Sequence, residues 1–256
     1  METLTLKKEL PSIQRIINDK LLSDREAEGK REIKSWHASG LGSCMTGRYL
    51  ERMGVKPDVE IDERTLRVFS VGNLFEQWLI DIVSKSGKEY QTQIRFELSQ
   101  NSLSGRADLL IKYEDKTILY ECKSKHSRAF WYMNKGGQGA MEQHRRQLWV
   151  GLKALNIEEG RLVYLSKDDL CVLEYPVYLN EAVLEKDVKS ELDVLNLSWE
   201  LKIPPPPAPD KTWQAEYCRW HKQCVKQEKY LPVDSLVLDG IYKQNTTKKK
   251  KLKVTL

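Results

Sequence analysis

The stretch that decides the fold is residues 103–123, LSGRADLLIKYEDKTILYECK. Two runs rich in apolar residues, 103–113 and 117–123, flank the polar turn residues 114–116. A turn between two such runs predicts a hairpin of antiparallel strands. The preceding run, residues 91–98, alternates apolar and polar side chains and is separated by another turn. The three runs together predict an antiparallel meander.

This hairpin carries a carboxylate on each strand, because Glu121 follows Asp108 by thirteen residues. A hairpin of that size lets the two side chains lie opposite each other. Side chains alternate between the two faces of a strand, so Glu121 and Lys123 share one face. The other face is apolar and is expected to pack on the core through Ile118, Tyr120 and Cys122.

Two converging carboxylates form a hard oxygen site that suits Mg²⁺ or Mn²⁺. Such an ion polarises a phosphoryl oxygen and lowers the pKa of bound water. A neighbouring lysine, Lys123, orients that attacking water or else stabilises charge on the transition state. The pattern therefore indicates phosphodiester hydrolysis by Asp108, Glu121 and Lys123. The alternative is an ordinary salt-bridged hairpin, because Asp and Glu-x-Lys on adjacent strands also arise by chance.

Elsewhere, apolar residues at helical or alternating spacing predict further elements. Helices are predicted up to about residue 35 and at 44–53, 63–86, 139–155 and 180–201, and strands at 161–165 and 170–177. The helix at 63–86 is so rich in apolar residues that we expect it to be largely buried. The order helix, three strands, helix, strand predicts an α/β (α+β) core with a central mixed β-sheet flanked by helices.

We divide the chain into four parts. An N-terminal helical segment covers residues 1–35 and the core covers 36–203. Residues 204–240 form a proline-rich spacer and a small Cys/His segment expected to pack on the core. Residues 241–256 form a basic tail that is expected to be disordered.

The composition argues against membrane-spanning and disulfide-rich secreted proteins. The 256 residues are 40% hydrophobic and 31% charged, and no stretch approaches the roughly 18 apolar residues of a membrane span. The start lacks a secretory signal pattern, and five cysteines are an odd number for a disulfide framework. We expect an intracellular, cytoplasmic protein. The net charge of +5 permits contact with DNA without demanding it.

Several motifs in one order resemble the RecB-like branch of the PD-(D/E)XK nucleases, which includes CRISPR-associated RecB-like exonucleases and bacteriophage exonucleases. The resemblance spans about residues 36–228. Each motif is weak alone, and the ordered set is more specific. The motifs are residues 43–49 (SCMTGRY), 72–76 (GNLFE), 105–108 (GRAD), 121–123 (ECK), 144–149 (HRRQLW) and 213–224.

The resemblance implies a restriction-endonuclease-like core and a metal-dependent deoxyribonuclease, expected to be an exonuclease. It implies that Asp108, Glu121 and the backbone carbonyl of Cys122 bind the metal. Gln147 is expected to support substrate. Glu76 stands where many members carry a metal-binding histidine, and we assign it as a third carboxylate; the alternative is a surface glutamate.

The sequence departs from the family at two further places. The tyrosine expected four residues after Gln147 is replaced by Gly151, which puts part of that helix's DNA-contact role in doubt. Relatives hold an iron–sulfur cluster with four cysteines, of which three match here and one position is Ala215. The residues expected to form an iron–sulfur or Zn²⁺ site are Cys44, Cys218, His221 and Cys224; the alternative is a degenerate motif without metal.

Basic and aromatic residues near the hairpin are candidates for DNA contact. Residues 128–135 predict a loop that stacks unpaired bases and touches phosphates, or else a partly buried aromatic loop. The candidates are Lys125, Arg128, Trp131, Arg145 and Arg146.

Two rival functions remain open at this point. One is a DNA-binding module that keeps the fold without catalysis. The other is a structural metal-cluster protein that docks a partner. The substrate is expected to be DNA, single-stranded or at duplex ends, with RNA less favoured. An oligomer or a protein partner is compatible with the sequence.

Overall fold

A six-stranded mixed sheet organises the chain in the computed structural model, which describes residues 12–29, 32–135, 139–205 and 218–227. The strand order is β1-β3-β4-β5-β6, with β2 paired to β3. Pairs β2–β3, β3–β4 and β5–β6 are antiparallel, whereas β1–β3 and β4–β5 are parallel. The strands are β1 Trp36–His37, β2 Glu89–Leu98, β3 Leu103–Lys112, β4 Thr117–Lys125, β5 Glu159–Ser166 and β6 Val172–Tyr178.

The predicted meander is confirmed as β2, β3 and β4, and the two later strands as β5 and β6. The described helices are α1 Ile13–Glu28, α2 Met45–Arg52, α3 Glu63–Ser84, α4 Ser127–Lys135, α5 Glu142–Leu155, α6 Glu181–Val183, α7 Lys189–Leu201 and α8 His221–Gln227. A π-turn, Leu184–Val188, joins α6 to α7. The structure confirms a mixed α/β fold, consistent with a restriction-endonuclease-like core.

The ends of the long helices follow from ordinary capping chemistry. Asp62 caps α3, because its side chain accepts a hydrogen bond of 2.8 Å from the backbone N–H of Thr65. Ser12 caps α1 by accepting from the N–H of Arg15. Helix α5 ends at Asn156 in a left-handed conformation, which asparagine tolerates.

The main core lies where α5 packs on the sheet. Fully buried leucines of the helix meet fully buried leucines of β4 and β5, namely Leu148, Leu152, Leu119 and Leu162. Gly151 permits this close approach, since a Cβ there would lie 3.1 Å from a methyl carbon of Leu119. A larger side chain at this position would crowd Leu119, which gives a physical reason for glycine there.

Helix α3 departs from the sequence prediction, because the expectation that it is largely buried is wrong. Only Leu66 is buried, while Phe69, Leu74, Trp78 and Ile82 are exposed by 47–65%. Apolar density indicates a helix but does not reveal whether a neighbour covers each side. Among the described residues, α3 contacts the sheet on one side and runs beside α1, whose Ile13, Ile16 and Ile17 are themselves exposed.

The predicted loop at residues 128–135 is also wrong, since these residues belong to helix α4. Phe130 and Met133 are buried on one side of that helix, while Tyr132 is exposed. Two apolar residues three positions apart, Phe130 and Met133, therefore anchor the segment to the core. Residues 136 and 137 of the predicted aromatic segment lie outside the described residues.

Residues 218–227 pack on the region after α2. The indole of Trp220 is buried and donates a hydrogen bond of 2.9 Å to the carbonyl of Val55. The backbone N–H and the side-chain amide of Gln223 both donate to the carboxylate of Asp58. The rest of the proline-rich spacer, Ala215 and the basic tail lie outside the described residues. Within the described ranges, none of the helices combines the length and apolar character needed to cross a membrane.

Candidate active site

The site begins at a fork between β3 and β4. The two strands pair from Lys112–Thr117 to Leu109–Tyr120, and the described pairing stops there. Continuing this register by one residue places Asp108 opposite Glu121. Asp108 Oδ2 accepts a hydrogen bond of 2.7 Å from the backbone N–H of Cys122. A side chain thus takes the place of the next ladder bond, and the fork holds both carboxylates together.

Two amide or ammonium groups from different elements hold Glu121. Lys123 Nζ, on the same face of β4, donates to Glu121 Oε1 at 2.5 Å. Gln147 Nε2, on α5, donates to the same oxygen at 2.6 Å. Glu121 is only 3% exposed, so these contacts fix a carboxylate that has almost no access to bulk water. The predicted grouping of Glu121, Lys123 and Gln147 is therefore present in the structure.

Glu76 reaches the same region from α3, and its partner was missed by sequence reasoning. The side-chain amide of Gln93 in β2 donates to Glu76 Oε1. Gln93 has φ +54° in the middle of a strand, a left-handed conformation that is uncommon for glutamine. Pairing of β2 with β3 is present on both sides but skips the position where Gln93 faces Asp108. No local pattern signals this arrangement, because it depends on a contact between β2 and α3.

One cavity of about 780 Å³ between α3, α5 and the forked strands collects most of these side chains, although Gln93 does not line it. Its volume falls in the range of about 300–1,000 Å³ that is common for ligand sites. The cavity wall includes Glu76, Asp108, Glu121, Cys122, Lys123 and Gln147. The predicted hydrolytic residues thus converge on a single space that solvent and a ligand can enter.

Burial and crowding raise the pKa of all three carboxyl groups. Burial, with smaller effects of Asp108 and Glu76, raises the pKa of Glu121 to about 7 although Lys123 opposes the shift. Burial is also the main reason that the pKa values of Asp108 and Glu76 are raised. Burial alone would lower the pKa of Lys123, but Glu121 and Asp108 outweigh it and the net direction is upward.

A divalent cation fits this donor set chemically. Three oxygen-bearing groups that resist ionisation together would be stabilised by a nearby positive charge. Among the described residues, however, no three His, Cys, Asp or Glu side chains already surround one ion-sized point. Lys123 instead lies against Glu121. The carboxylates that would hold Mg²⁺ or Mn²⁺ are those of Glu76, Asp108 and Glu121, with the carbonyl of Cys122 as the further candidate.

The predicted DNA-contact residues do not line this cavity. Arg146 forms ion pairs with three carboxylates of α5, the π-turn and α7, which gives it a structural role between helices. The indole of Trp131 donates to Asp169. The residues concerned are Lys125, Arg128, Trp131, Arg145 and Arg146, and their contact with DNA stays a prediction.

Three of the four predicted cluster ligands meet where the C-terminal segment packs near α2, and none of the three lines the carboxylate cavity. The Cys218 thiol is hydrogen-bonded to the thiols of both Cys44 and Cys224. Gly47 lies beside them, and a Cβ there would be 3.4 Å from Cys218 Sγ. The fourth candidate, His221, is exposed and makes no side-chain hydrogen bond among the described residues. The three thiols are therefore neighbours, but within the described ranges they do not yet surround one ion-sized point, so metal binding by them stays a prediction.

The fold is shared with solved structures, although the chain matches no family profile and no curated protein sequence. The crystal structure of SSO0001 is 20% identical, with a TM-score of 0.54, covering 84% of this chain and 96% of that one. An alkaline exonuclease, LHK-Exo from Laribacter hongkongensis, is 11% identical with a TM-score of 0.51, and the match covers 72% of this chain and 93% of that one. The structure of LHK-Exo in complex with dAMP is 13% identical with a TM-score of 0.52, and the match covers 69% of this chain and 93% of that one. Similarity at this level shows the fold.

Proposed function

We propose that this protein is a metal-dependent deoxyribonuclease that acts as an exonuclease. The observation that carries the proposal is the convergence of Glu76, Asp108, Glu121 and Lys123 on one cavity. The fold supports it, since the alkaline exonuclease LHK-Exo shares the architecture, and one of its structures holds dAMP. DNA is the proposed substrate on the same grounds.

Each of these residues has a separate role in the proposed hydrolysis. Bound Mg²⁺ or Mn²⁺ would polarise a phosphoryl oxygen and lower the pKa of water. The carboxylates of Glu76, Asp108 and Glu121 would hold such an ion. The Lys123 ammonium, kept charged by its acidic neighbours, stabilises the charge that develops on the phosphoryl oxygens. Gln147 keeps Glu121 oriented by its hydrogen bond, so that the carboxylate does not swing out of the cavity.

The test is release of nucleotides from end-labelled single-stranded and double-stranded DNA with Mg²⁺, Mn²⁺ or EDTA. We expect metal-dependent release, and loss of at least about a hundredfold in rate for Lys123→Ala, because a preorganised charge contributes on that scale. Lys112→Ala is the matched control, since Lys112 is an exposed lysine of the adjacent strand that pairs with Glu89 outside the cavity.

Full activity of Lys123→Ala, or no cleavage by the wild type with any divalent ion, would contradict the proposal. DNA binding without cleavage would then favour the rival reading of a binding module that keeps only the fold. Cleavage of internal sites on circular DNA would retain the nuclease and overturn the exonuclease assignment.

We also propose that the three-cysteine contact binds a metal ion or an iron–sulfur cluster with a structural role. Cys44 precedes α2, whereas Cys218 and Cys224 lie in the C-terminal segment. A shared metal would therefore tie that segment to the N-terminal half of the molecule. It lies apart from the carboxylate cavity and contributes nothing to hydrolysis.

A further inference from the structure

Two arginines face each other across strands β2 and β3 at the wall of the candidate active site. Arg95 pairs directly with Arg106 in the strand register, and both residues line the carboxylate cavity. Side chains of directly opposed residues share a face, with Cβ atoms about 5 Å apart. Like charges in this arrangement destabilise a sheet. The pair is therefore unfavourable for folding unless something else compensates it.

The surrounding chain does not neutralise this arginine pair. Both residues are exposed, and neither forms an ion pair or a side-chain hydrogen bond within the ranges that the structure describes. The charge of Arg106 partly opposes the burial that raises the pKa of Glu76 and of Asp108, without direct contact. Glu97 lines the same wall but forms no ion pair with Arg95. Two free guanidinium groups side by side form a geometry suited to one phosphate, which accepts several charge-assisted hydrogen bonds.

The spacing relates this pair to the catalytic groups. Arg106 precedes Asp108 by two residues on β3, and two residues of a strand span about 6.6 Å. That is the length scale of one extended nucleotide. A phosphate on the arginine pair and a phosphate at the carboxylates would therefore belong to neighbouring nucleotides of one strand.

The part of the cavity lining that α3 supplies offers an aromatic surface. Phe69 of α3 is 51% exposed and lines the cavity together with Val68 and Gly72. An exposed ring provides a stacking surface for any base, provided that the base is not paired. Lys167 bridges the mouth of the cavity, with Nζ 3.5 Å from the carbonyl of Val68. The cavity therefore combines a phosphate-binding side and a base-stacking side.

We propose that Arg95 and Arg106 together bind the phosphate next to the scissile one, while Phe69 stacks the unpaired base of that nucleotide. The substrate engaged by this site is therefore a single-stranded DNA end, or a duplex end frayed by at least one nucleotide. The identification of the scissile position rests on the proposed function. The binding of unpaired DNA by these three residues does not depend on it.

The experiment measures fluorescence anisotropy of a short labelled single-stranded oligodeoxynucleotide in EDTA, where cleavage cannot interfere. We expect Arg95→Gln and Arg106→Gln each to weaken binding about tenfold. We expect the slope of log affinity against log salt to fall by about 0.7 when the phosphate contact is lost. Lys112→Gln removes the same charge from β3 outside the cavity and should leave binding unchanged.

Phe69→Ala tests the stacking contact separately. We expect it to weaken binding of single-stranded DNA by about tenfold, a loss within the range measured for base–aromatic stacking. Phe69→Tyr should restore binding, and binding of a blunt, GC-rich duplex should be nearly unaffected by Phe69→Ala. Equal loss for the blunt duplex would overturn the assignment to unpaired DNA.

Thermal unfolding without DNA supplies an independent readout for the arginines. Because each Arg→Gln change relieves repulsion between like charges, the melting temperature should stay the same or rise while DNA affinity falls. Arginine variants that bind as the wild type does would overturn the phosphate contact. If wild type does not cleave DNA yet binds it through these residues, the proposed function fails and this inference stands.

Discussion

Gln93 is the residue whose backbone geometry demands an explanation. A left-handed conformation at a residue other than glycine costs about 1–3 kcal/mol, and such residues cluster at active sites. Its amide donates to Glu76, and its backbone faces Asp108 across the ladder. We infer that the strained backbone serves to aim the amide at Glu76. Gln93 is thus a positioning residue for a carboxylate, without itself meeting substrate.

Replacing Gln93 separates the backbone cost from the amide contact. Gln93→Ala keeps the strain and loses the hydrogen bond, whereas Gln93→Gly loses both. We expect Gln93→Gly to be more stable than Gln93→Ala by about 1 kcal/mol in chemical denaturation. We expect both variants to bind Mn²⁺ more weakly than wild type by calorimetry. Unchanged Mn²⁺ affinity in both would remove the positioning role.

Glu121 makes the stability of the metal-free protein depend on pH. Its folded pKa of about 7 exceeds the ordinary glutamate value, mainly because of burial. A raised carboxyl pKa means that the folded state binds the proton more tightly than the unfolded state. The contribution of protonated Glu121 to the free energy of unfolding is therefore fully present below about pH 4.5 and is lost as the pH rises to about 7. The loss attributable to Glu121 is on the order of 3 kcal/mol.

We expect the free energy of unfolding of the metal-free protein to fall between about pH 4.5 and pH 7. Glu121→Gln should flatten this dependence, because an amide does not ionise. Adding Mn²⁺ at pH 7.5 should raise the melting temperature of wild type and not of Glu121→Gln. A pH profile of Glu121→Gln that matches the wild type would show that another group titrates in this range.

At the scale of elements, the hairpin was predictable because the residues that specify it are close together in the sequence. Alternation and a polar turn specify β3 and β4, and their register then places Asp108 against Glu121. The prediction that Gln147 belongs to the site came from the order of the motifs rather than from apolar periodicity. The contact between Gln93 and Glu76 was not predictable, since it joins β2 to α3 through a backbone that no sequence pattern encodes. The exposure of α3 was missed because an apolar repeat does not identify its partner.

The pairing of β2 with β3 depends on close contact at Gly105. A Cβ at Gly105 would lie 2.2 Å from the ring of Phe96 and 2.9 Å from the Cβ of Ala38. We expect Gly105→Ala to destabilise the protein by about 3 kcal/mol or more, because a packed core has no room for the extra carbon. Chemical denaturation measures the effect.

Gly72→Ala is the matched control for this prediction. Gly72 lies inside α3, and the nearest atom to its added Cβ is Ser124 Oγ at 3.7 Å. Alanine should stabilise the helix by about 0.5–1 kcal/mol. Equal stability of Gly105→Ala and wild type would show that the β2–β3 contact is looser than the structure has it.

At the scale of the whole molecule, the C-terminal segment closes the chain back onto its N-terminal half. Trp220, Gln223 and the Cys218 thiol all contact residues between Cys44 and Asp58, and the Cys224 thiol is hydrogen-bonded to that of Cys218. Such contacts join parts of the chain more than 150 residues apart. The sequence indicated this closure only through the cysteine motif, because apolar periodicity predicts elements and does not identify contacts between distant parts of the chain.

If the cysteine contact binds metal, the purified protein should contain zinc or iron by elemental analysis, with visible absorbance in the case of an iron–sulfur cluster. Cys218→Ser should remove the metal and lower the melting temperature by a few degrees. Cys171→Ser is the control, since that thiol is also free and lies on the segment before β6. Wild-type protein without bound metal, prepared without oxygen, would refute the site.

The hydrogen bond from the Cys122 N–H to Asp108 gives this carboxylate a structural role that does not depend on its role in the proposed reaction. Truncating Asp108 would orphan a backbone donor in the fork, a defect worth about 1–3 kcal/mol. Asparagine at this position would remove the carboxylate charge that the proposed hydrolysis requires, while still offering an oxygen to that donor. If the proposed function holds, variants of this chain that lose activity are therefore expected to carry asparagine at position 108 more often than alanine, because the amide keeps the acceptor and gives up only the charge.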